Sequence, residues 1–344
     1  MKRYRIGILG AGFGVSAHLP ALRAHPRFEV VALASPHSAA RIAAEREIPH
    51  AFRDAAGIIA GCELDAVTVA SQPFAHAQDV LAALEAGLHV VCEKPFALDV
   101  AQAEAMVAAA IRAGTACGIA HEFRFVAQMQ ALRELVANGH LDPVRHLELT
   151  LLRAMLHRNG TRPRGWWFRR EMGGGLTGAM VSHLVDHANW LVGRIPTRAL
   201  GFLRTANVGR RDAEGPFESS VDDGGFALLE YGGGIVARIS ADATTAVESY
   251  TCAIHGEDRS AVASGPNVVD LRLFSVNAEE TDELECAPSP YAAYASVNPN
   301  VPLLMELYDE FAKAIDGQPN ALPTFVQALE TQKVLAAIGY SATG

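Results

Sequence analysis

Two kinds of apolar pattern alternate through the first 120 residues of this 344-residue chain, and the alternation decides its fold class. Short runs rich in β-branched and apolar residues lie at 4–9, 29–34, 66–70, 89–92 and 116–120. Between them lie alanine-rich stretches, 15–23, 39–47, 75–86 and 100–113, whose apolar residues recur at helical spacing. Runs this short and this apolar suit strands buried on both faces, and the helical stretches between them are long enough to cross from one parallel strand to the next. The alternation therefore predicts an α/β fold, a doubly wound parallel sheet with helices on both faces.

After residue 120 the rhythm changes. One amphipathic helix at 126–138 is followed by strand patterns at 144–152, 198–203, 224–231, 234–242 and 249–255. Strands with few intervening helices predict an α+β domain with an open, largely antiparallel mixed sheet. Helical patterns return at 301–315 and 324–340 and are expected to pack back on the first domain. The expected organisation is a Rossmann domain at 1–121 and a substrate and oligomerisation domain at 122–344. An open sheet face often serves as a subunit interface, so a homodimer or homotetramer through the second domain's sheet is expected.

Composition narrows the function classes. A formal charge of −9 offers no footprint for a polyanion, and the one dense basic stretch, 162–170, is interrupted by aromatic and glycine residues, so no nucleic-acid partner is expected. Cys62, Cys92, Cys117, Cys252 and Cys286 contain no close CxxC pair. They indicate neither a disulfide framework nor a metal site and fit a reducing cytoplasm. No apolar run is long enough to span a bilayer, and no membrane partner is expected.

The first strand runs into Gly10-Ala11-Gly12-Phe13-Gly14 and then a helix. A glycine at the strand end permits a tight turn, a second lets backbone amides approach a pyrophosphate, and the helix N-terminus favours the anion. Gly10, Gly12, Phe13 and Gly14 are thus the expected dinucleotide cradle. The third fingerprint position is Val15 rather than Gly or Ala, with Gly14 one residue early. The second strand ends Ala34-Ser35-Pro36-His37-Ser38 without the acid that would bind the 2′-hydroxyl of NAD. With Arg41 nearby, Ser35, His37 and Ser38 favour a 2′-phosphate, so the reading leans to NADP over NAD.

Two further segments carry chemistry. Glu93-Lys94-Pro95 lies just past the carboxyl end of a strand, where open α/β sheets bind ligands, and the Lys94 ammonium can hydrogen-bond a substrate hydroxyl or carbonyl. Farther on, a triple glycine at 173–175 enters a helical stretch in which His183, Asp186 and His187 share one face. Imidazole is suited to take a hydroxyl proton while hydride leaves the same carbon. One His and Asp pair without further ligands is a poor metal site, and no metal is expected.

Together these strings resemble the Gfo/Idh/MocA oxidoreductase family, the group of glucose–fructose oxidoreductases and inositol dehydrogenases. The resemblance covers nearly the whole chain through GILGAGFGVSAHLP at 7–20, SQPFAH at 71–76, AGLHVVCEKP at 86–95, Arg124-Phe125 and the stretch 173–186. It implies an N-terminal Rossmann domain, tight NAD or NADP binding, and Lys94 and His183 acting on the substrate hydroxyl. It places Ser71, His76, Glu93 and Lys94 on the cofactor side. It also aligns the cationic and aromatic stretch with a substrate-side loop, in which Arg153, His157, Arg158, Arg162, Arg164, Trp166 and Trp167 can fork onto polar groups or stack on a ring. Arg153, His157, Trp167, Asp186 and His187 are the expected substrate contacts.

One departure stands out. The family carries DxGxH before the later helix, whereas this chain reads Ala179-Met180-Val181-Ser182-His183, with alanine in place of the aspartate. Asp186 or Glu122 is the candidate substitute. The expected activity is reversible hydride transfer between nicotinamide and a secondary alcohol or ketone of a sugar, cyclitol or related polyol. Two alternatives stay open at position 179: redox-neutral lyase or glycosidase chemistry on tightly bound NAD(P), and a non-catalytic dinucleotide-binding regulator.

Overall fold

A computed structural model of the chain describes residues 2–157 and 162–340. The chain divides into two compact units. One holds the chain up to Glu122 together with Ser289–Leu329, and the other holds Phe123–Pro288 and the residues from Glu330 onward.

The first unit alternates strand and helix: β1 (Tyr4–Leu9), α1 (Leu19–Ala24), β2 (Phe28–Ala34), α2 (Ala39–Glu45), β3 (His50–Phe52), α3 (Ala55–Gly61), β4 (Ala66–Val69), α4 (Pro73–Glu85), β5 (His89–Cys92), α5 (Val100–Ala113) and β6 (Cys117–Ile119). Among the described residues these strands form a six-stranded sheet in the order β3-β2-β1-β4-β5-β6, and every pairing is parallel. That is the doubly wound order, in which strand order reverses between β1 and β4. Burial explains the continuous apolar runs: all four residues of β4 are buried, as are the last three of β5.

Local signals set the helix ends. Asp54 and Asp99 cap α3 and α5, each accepting a backbone N–H three residues on at 2.8 Å, and Gly114 ends α5 in the left-handed region at φ 65°. The predicted helix at 15–23 is instead a wide π-type turn, Gly14–His18, running into α1. β3 and α3 lie outside the predicted elements. A three-residue strand has no periodicity to read, and α3 carries two glycines in seven residues.

In the second unit, α6 (Ala127–Ala137), β7 (His146–Leu152) and α7 (Ser182–Val192) precede β8 (Arg198–Arg204), β9 (Gly209–Asp212), β10 (Gly215–Glu218), β11 (Gly224–Tyr231), β12 (Ile235–Asp242), β13 (Ser249–His255), β14 (Ser260–Asn267), β15 (Asp270–Val276) and β16 (Thr281–Leu284). Among the described residues β9 and β10 form a separate hairpin. The other eight strands make one sheet, ordered β16-β15-β14-β13-β7-β12-β11-β8. Among the described residues only the β7–β12 pairing of this sheet is parallel, so the sheet is mixed and largely antiparallel. Strict alternation marks its faces: from Gly225 onward β11 reads buried, exposed, buried, exposed.

The last helices are α8 (Val301–Ile315) and α9 (Phe325–Ala337). Helix α8 completes the first unit's core, with Phe311 stacked on Phe28 of β2 at 5.9 Å and Tyr308 fully buried. The segment before α9 runs along β6, where Ile119 N–H donates to Pro323 O at 2.8 Å.

Candidate active site

In the first unit, the chain leaves β1 at Gly10 with φ 111°, a conformation that side-chain-bearing residues rarely adopt. A Cβ there would lie 2.1 Å from Ala70 O, so the turn can lie against the end of β4 only because residue 10 is glycine. Gly12 differs, since an added Cβ would meet nothing within 4 Å. Gly14 packs inward, and a Cβ on it would meet the Ile8 methyl at 2.9 Å. This is the close helix–strand packing that the third fingerprint glycine provides, so Gly14 supplies it one position early and Val15 does not break the motif. Unlike α3 and α5, the turn has no side-chain cap at its start. Open space over Gly12 and an uncapped helix start fit a pyrophosphate, and Phe13 stands beside them with its ring edge-on to His18 at 5.5 Å.

At the end of β2, Ser35 Oγ and Ser38 Oγ are 3.0 Å apart, and no carboxylate follows the strand before Glu45. Arg41 pairs with Glu45 one helical turn on, at 2.7 Å, and is solvent-exposed.

The third part of this crevice is the turn after β5. The backbone N–H of Glu93 donates to Val69 O at 2.8 Å, which continues the β4–β5 ladder to the strand ends. The Glu93 carboxylate is buried: Oε1 accepts from His18 Nε2 at 2.8 Å and Oε2 from the Lys94 backbone N–H at 3.3 Å. Burial works to raise this carboxyl, but the His18 hydrogen bond and the Lys94 charge outweigh it and hold it below its ordinary value. His76 is buried with Nδ1 2.9 Å from Pro95 O and Nε2 3.1 Å from Ser71 O, and Ser71 Oγ donates to Asp79 at 2.7 Å. Lys94 itself is half-buried. Lys94, Glu93, Ser71 and His76 thus converge at the carboxyl ends of adjacent strands.

In the second unit, α7 carries His183, Asp186 and His187, all buried. His183 stacks on Phe123 with ring centroids 4.1 Å apart. His187 Nδ1 lies 2.9 Å from Tyr250 OH. Both Asp186 oxygens receive the Arg124 guanidinium, at 2.7 and 2.6 Å, in a buried fork. Ahead of α7, Asp222 grips the incoming chain: its Oδ2 accepts Thr177 N–H at 2.7 Å and Thr177 Oγ–H at 2.8 Å. Gly175, at φ 105°, makes room for it, because a Cβ there would lie 2.6 Å from Asp222 Oδ1. Burial pushes the Asp222 carboxyl up, against the pull of its Thr177 bonds. Nothing in the local sequence pointed to Asp222, whose target lies 45 residues earlier in the chain.

The cationic and aromatic stretch is tied into its own unit. Arg153 Nε lies 3.3 Å from Glu248, the Arg164 fork holds Asp212 at 2.8 Å, and the Arg162 guanidinium stands over the Trp167 ring at 4.2 Å. Trp166 lies edge-on to Trp167 at 5.5 Å. His157 is half-buried, its N–H bonded to Ala154 O at 3.1 Å. Arg158 lies outside the described residues. Among the described residues, no group of three acidic, histidine or cysteine side chains can hold a metal, and no helix is long and apolar enough to cross a membrane.

A parallel sheet in this order, with a glycine cradle at its switch point, is the architecture of a dinucleotide-binding domain. Residues 4–121 match the profile of an oxidoreductase family with an NAD-binding Rossmann fold, and 129–262 match the Gfo/Idh/MocA C-terminal domain. An oxidoreductase of Synechocystis sp. is 32% identical over 213 residues, 61% of this chain and 56% of that protein. The trans-1,2-dihydrobenzene-1,2-diol dehydrogenase of Bos taurus is 30% identical over 260 residues, 74% of this chain and 69% of that protein. The levoglucosan dehydrogenase of Pseudarthrobacter phenanthrenivorans is 27% identical over 319 residues, 83% of this chain and 77% of that protein. A solved levoglucosan dehydrogenase in complex with NADH and L-sorbose shares the fold, with a TM-score of 0.87 at 22% identity over 100% of this chain and 97% of that one. The chain belongs to the Gfo/Idh/MocA family and is an oxidoreductase with an NAD-binding Rossmann fold.

The environments of Gly10 and Gly12 separate stability from binding. Gly10→Ala is expected to destabilise the protein by roughly 2–4 kcal/mol in denaturant unfolding, through overpacking and a strained φ. Gly12→Ala is expected to leave stability within about 0.5 kcal/mol. In a fluorescence titration it should weaken reduced-dinucleotide binding by roughly tenfold or more, as expected when a side chain fills the phosphate approach.

Proposed function

We propose that this oxidoreductase interconverts a secondary alcohol and ketone on a sugar, anhydrosugar, cyclitol or related polyol, with residues 1–121 holding the dinucleotide and 122–344 the substrate. The observation that carries the reading is the convergence of the Gly10–Gly14 cradle and the Lys94 turn at the carboxyl ends of β1, β4 and β5. The substrate class is supported by relatives that include levoglucosan dehydrogenase and a 1,5-anhydro-D-fructose reductase. When bound, the nicotinamide ring accepts or gives the hydride.

The proton is handled by the chain. Lys94 is the residue we assign to hold the reacting oxygen, its ammonium stabilising the charge that develops there. His183 is assigned as the base that takes the hydroxyl proton in oxidation and returns it in reduction. Gly10, Gly12, Phe13 and Gly14 would hold the pyrophosphate, and Ser71, His76 and Glu93 would support the nicotinamide side. Arg153, His157, Trp167, Asp186 and His187 remain the candidates for substrate contact. The Arg124 fork on Asp186 and the Tyr250 bond to His187 favour a supporting part for those two. NADP is preferred over NAD, because the Ser35 and Ser38 hydroxyls end β2 where a carboxylate would otherwise repel a 2′-phosphate. A cytoplasmic setting agrees with the five free thiols.

A homodimer or homotetramer through the second unit's sheet completes the proposal. Leu200 and Phe202 of β8 face Leu228 and Phe226 of β11 across the ladder and are 47–60% exposed, an apolar patch of the kind that subunit contacts cover. Light scattering after size exclusion should give a dimer or tetramer, and Phe202→Lys with Leu228→Lys should lower the mass. A monomeric wild type contradicts the interface.

Ala179 favours one second reading, redox-neutral chemistry in which the hydride returns to the substrate. Turnover of a panel of sugars, anhydrosugars and cyclitols, followed by reduced-nicotinamide absorbance, separates the two. Net absorbance change, larger with NADP than with NAD, is expected. Lys94→Ala and His183→Ala should each lower kcat/KM by about 10²–10⁴-fold, the usual worth of a proton-transfer group. Near-normal rates in either variant would remove that residue from the chemistry.

A further inference from the structure

Two buried histidines lie on either side of Lys94. His18 sits at the end of the turn that begins at Gly14, fully buried, and its Nε2 lies 2.8 Å from Glu93 Oε1. The same carboxylate uses Oε2 to accept the Lys94 backbone N–H at 3.3 Å. Behind the ring, His18 Nδ1 is 2.7 Å from Tyr308 OH, which is 2.7 Å from Thr68 Oγ1 on β4. On the other side, His76 Nδ1 lies 2.9 Å from Pro95 O and its Nε2 3.1 Å from Ser71 O. The backbone N–H of Lys94 and the carbonyl of Pro95 are therefore each held, one through a carboxylate and one directly, by an imidazole with almost no solvent contact.

We propose that His18 and His76 are positioning residues that clamp the Glu93-Lys94-Pro95 turn and so fix the origin of the Lys94 side chain against the dinucleotide cradle. Their anchor points support this. His18 belongs to the helical turn that follows the Gly10–Gly14 cradle, and Ser71 follows Ala70, the residue that Gly10 abuts. A shift of the cradle would thus be transmitted to both flanks of Lys94 through buried polar contacts, whose loss leaves groups unsatisfied. A catalytic group displaced by about 1 Å can lose roughly 10²-fold in rate, which is why a turn outside regular structure needs such bracing.

The geometry names the ring nitrogen that matters at each histidine. At His18 it is Nε2, whose position a glutamine amide nitrogen approximates. At His76 it is Nδ1, which an asparagine amide nitrogen approximates. His18→Gln and His76→Asn keep the donors, whereas His18→Asn and His76→Gln move them. The proposal rests on the Lys94 assignment for its catalytic meaning, but the clamp can be read without turnover.

Hydrogen–deuterium exchange of the full-length protein without added dinucleotide, followed by mass spectrometry of peptides covering residues 92–98, is the test. His18→Gln and His76→Asn should exchange there as the wild type does. His18→Asn and His76→Gln should exchange about tenfold faster there, as expected for loss of one buried hydrogen bond, with peptides from the second unit unchanged. If a moved-donor variant does not fold, Glu93→Gln, which keeps the side-chain volume and removes the charge that His18 holds, is read in its place: faster exchange over residues 92–98 supports the clamp, and wild-type exchange overturns it. Equal exchange in all four variants, or fast exchange in His18→Gln and His76→Asn, overturns it. Lys94→Ala supplies the separation: normal turnover in that variant removes Lys94 from the chemistry while leaving the exchange result to decide the clamp.

Discussion

The first unit depends on one backbone contact, the approach of Gly10 to Ala70. With any side chain at residue 10, a Cβ would stand 2.1 Å from the Ala70 carbonyl oxygen, closer than non-bonded atoms come. The contact falls where the sheet order reverses between β1 and β4. At that point the crossovers leave toward opposite faces and a crevice opens above the strand ends. Because β1 and β4 are pinned there, the turns that follow them, with Gly12 after β1 and Ser71 after β4, come to the rim of one crevice. The continued ladder from Val69 to Glu93 brings the Lys94 turn to the same rim.

The second unit solves a different problem, how to hold a histidine-bearing helix whose N-terminal approach lacks the family's aspartate. Ala179 is buried and apolar. Asp222 reaches the approach from 45 residues on, at Thr177, while Asp186 of α7 itself is held in its fork by Arg124. The fork is almost wholly inaccessible to solvent, and breaking such a pair by removing one partner usually costs about 3–5 kcal/mol. These contacts fix where α7 begins and how it is rotated. Asp222 serves the backbone at the start of the segment, so it anchors the approach to α7 without replacing a group aimed at the His183 ring.

Local pattern made the frame legible. Strands β1, β4 and β5 are apolar runs bounded by turn residues, helix α4 has period and opens on Pro73, and α5 has period with a cap at each end. The alternation along β11 likewise marks a half-exposed sheet. Elements without local pattern were not legible. The β9–β10 hairpin is short and polar, with half-exposed and exposed positions only, and β14 contains Gly265 and Pro266, which mask its strand character. At the site, Gly10, Gly12, the Lys94 turn and the histidine helix could be read from strings. Their supports could not, because each joins residues far apart in sequence: His18 to Glu93 over 75 residues, His18 to Tyr308 over 290, and Thr177 to Asp222 over 45. The work of Gly14 was hidden for the same reason, since its neighbours Ile8 and Ala70 meet it only in the folded sheet.

The cradle and the Lys94 turn are expected to form one dinucleotide site, and the decisive measurement is a crystal structure of the protein with NADPH bound. It should show the pyrophosphate on the backbone amides after Gly12, the 2′-phosphate beside Ser35 and Ser38, and the Lys94 ammonium within hydrogen-bond reach of the nicotinamide side of the crevice. A dinucleotide bound away from Gly12, or a Lys94 side chain directed out of that crevice in the complex, would contradict it.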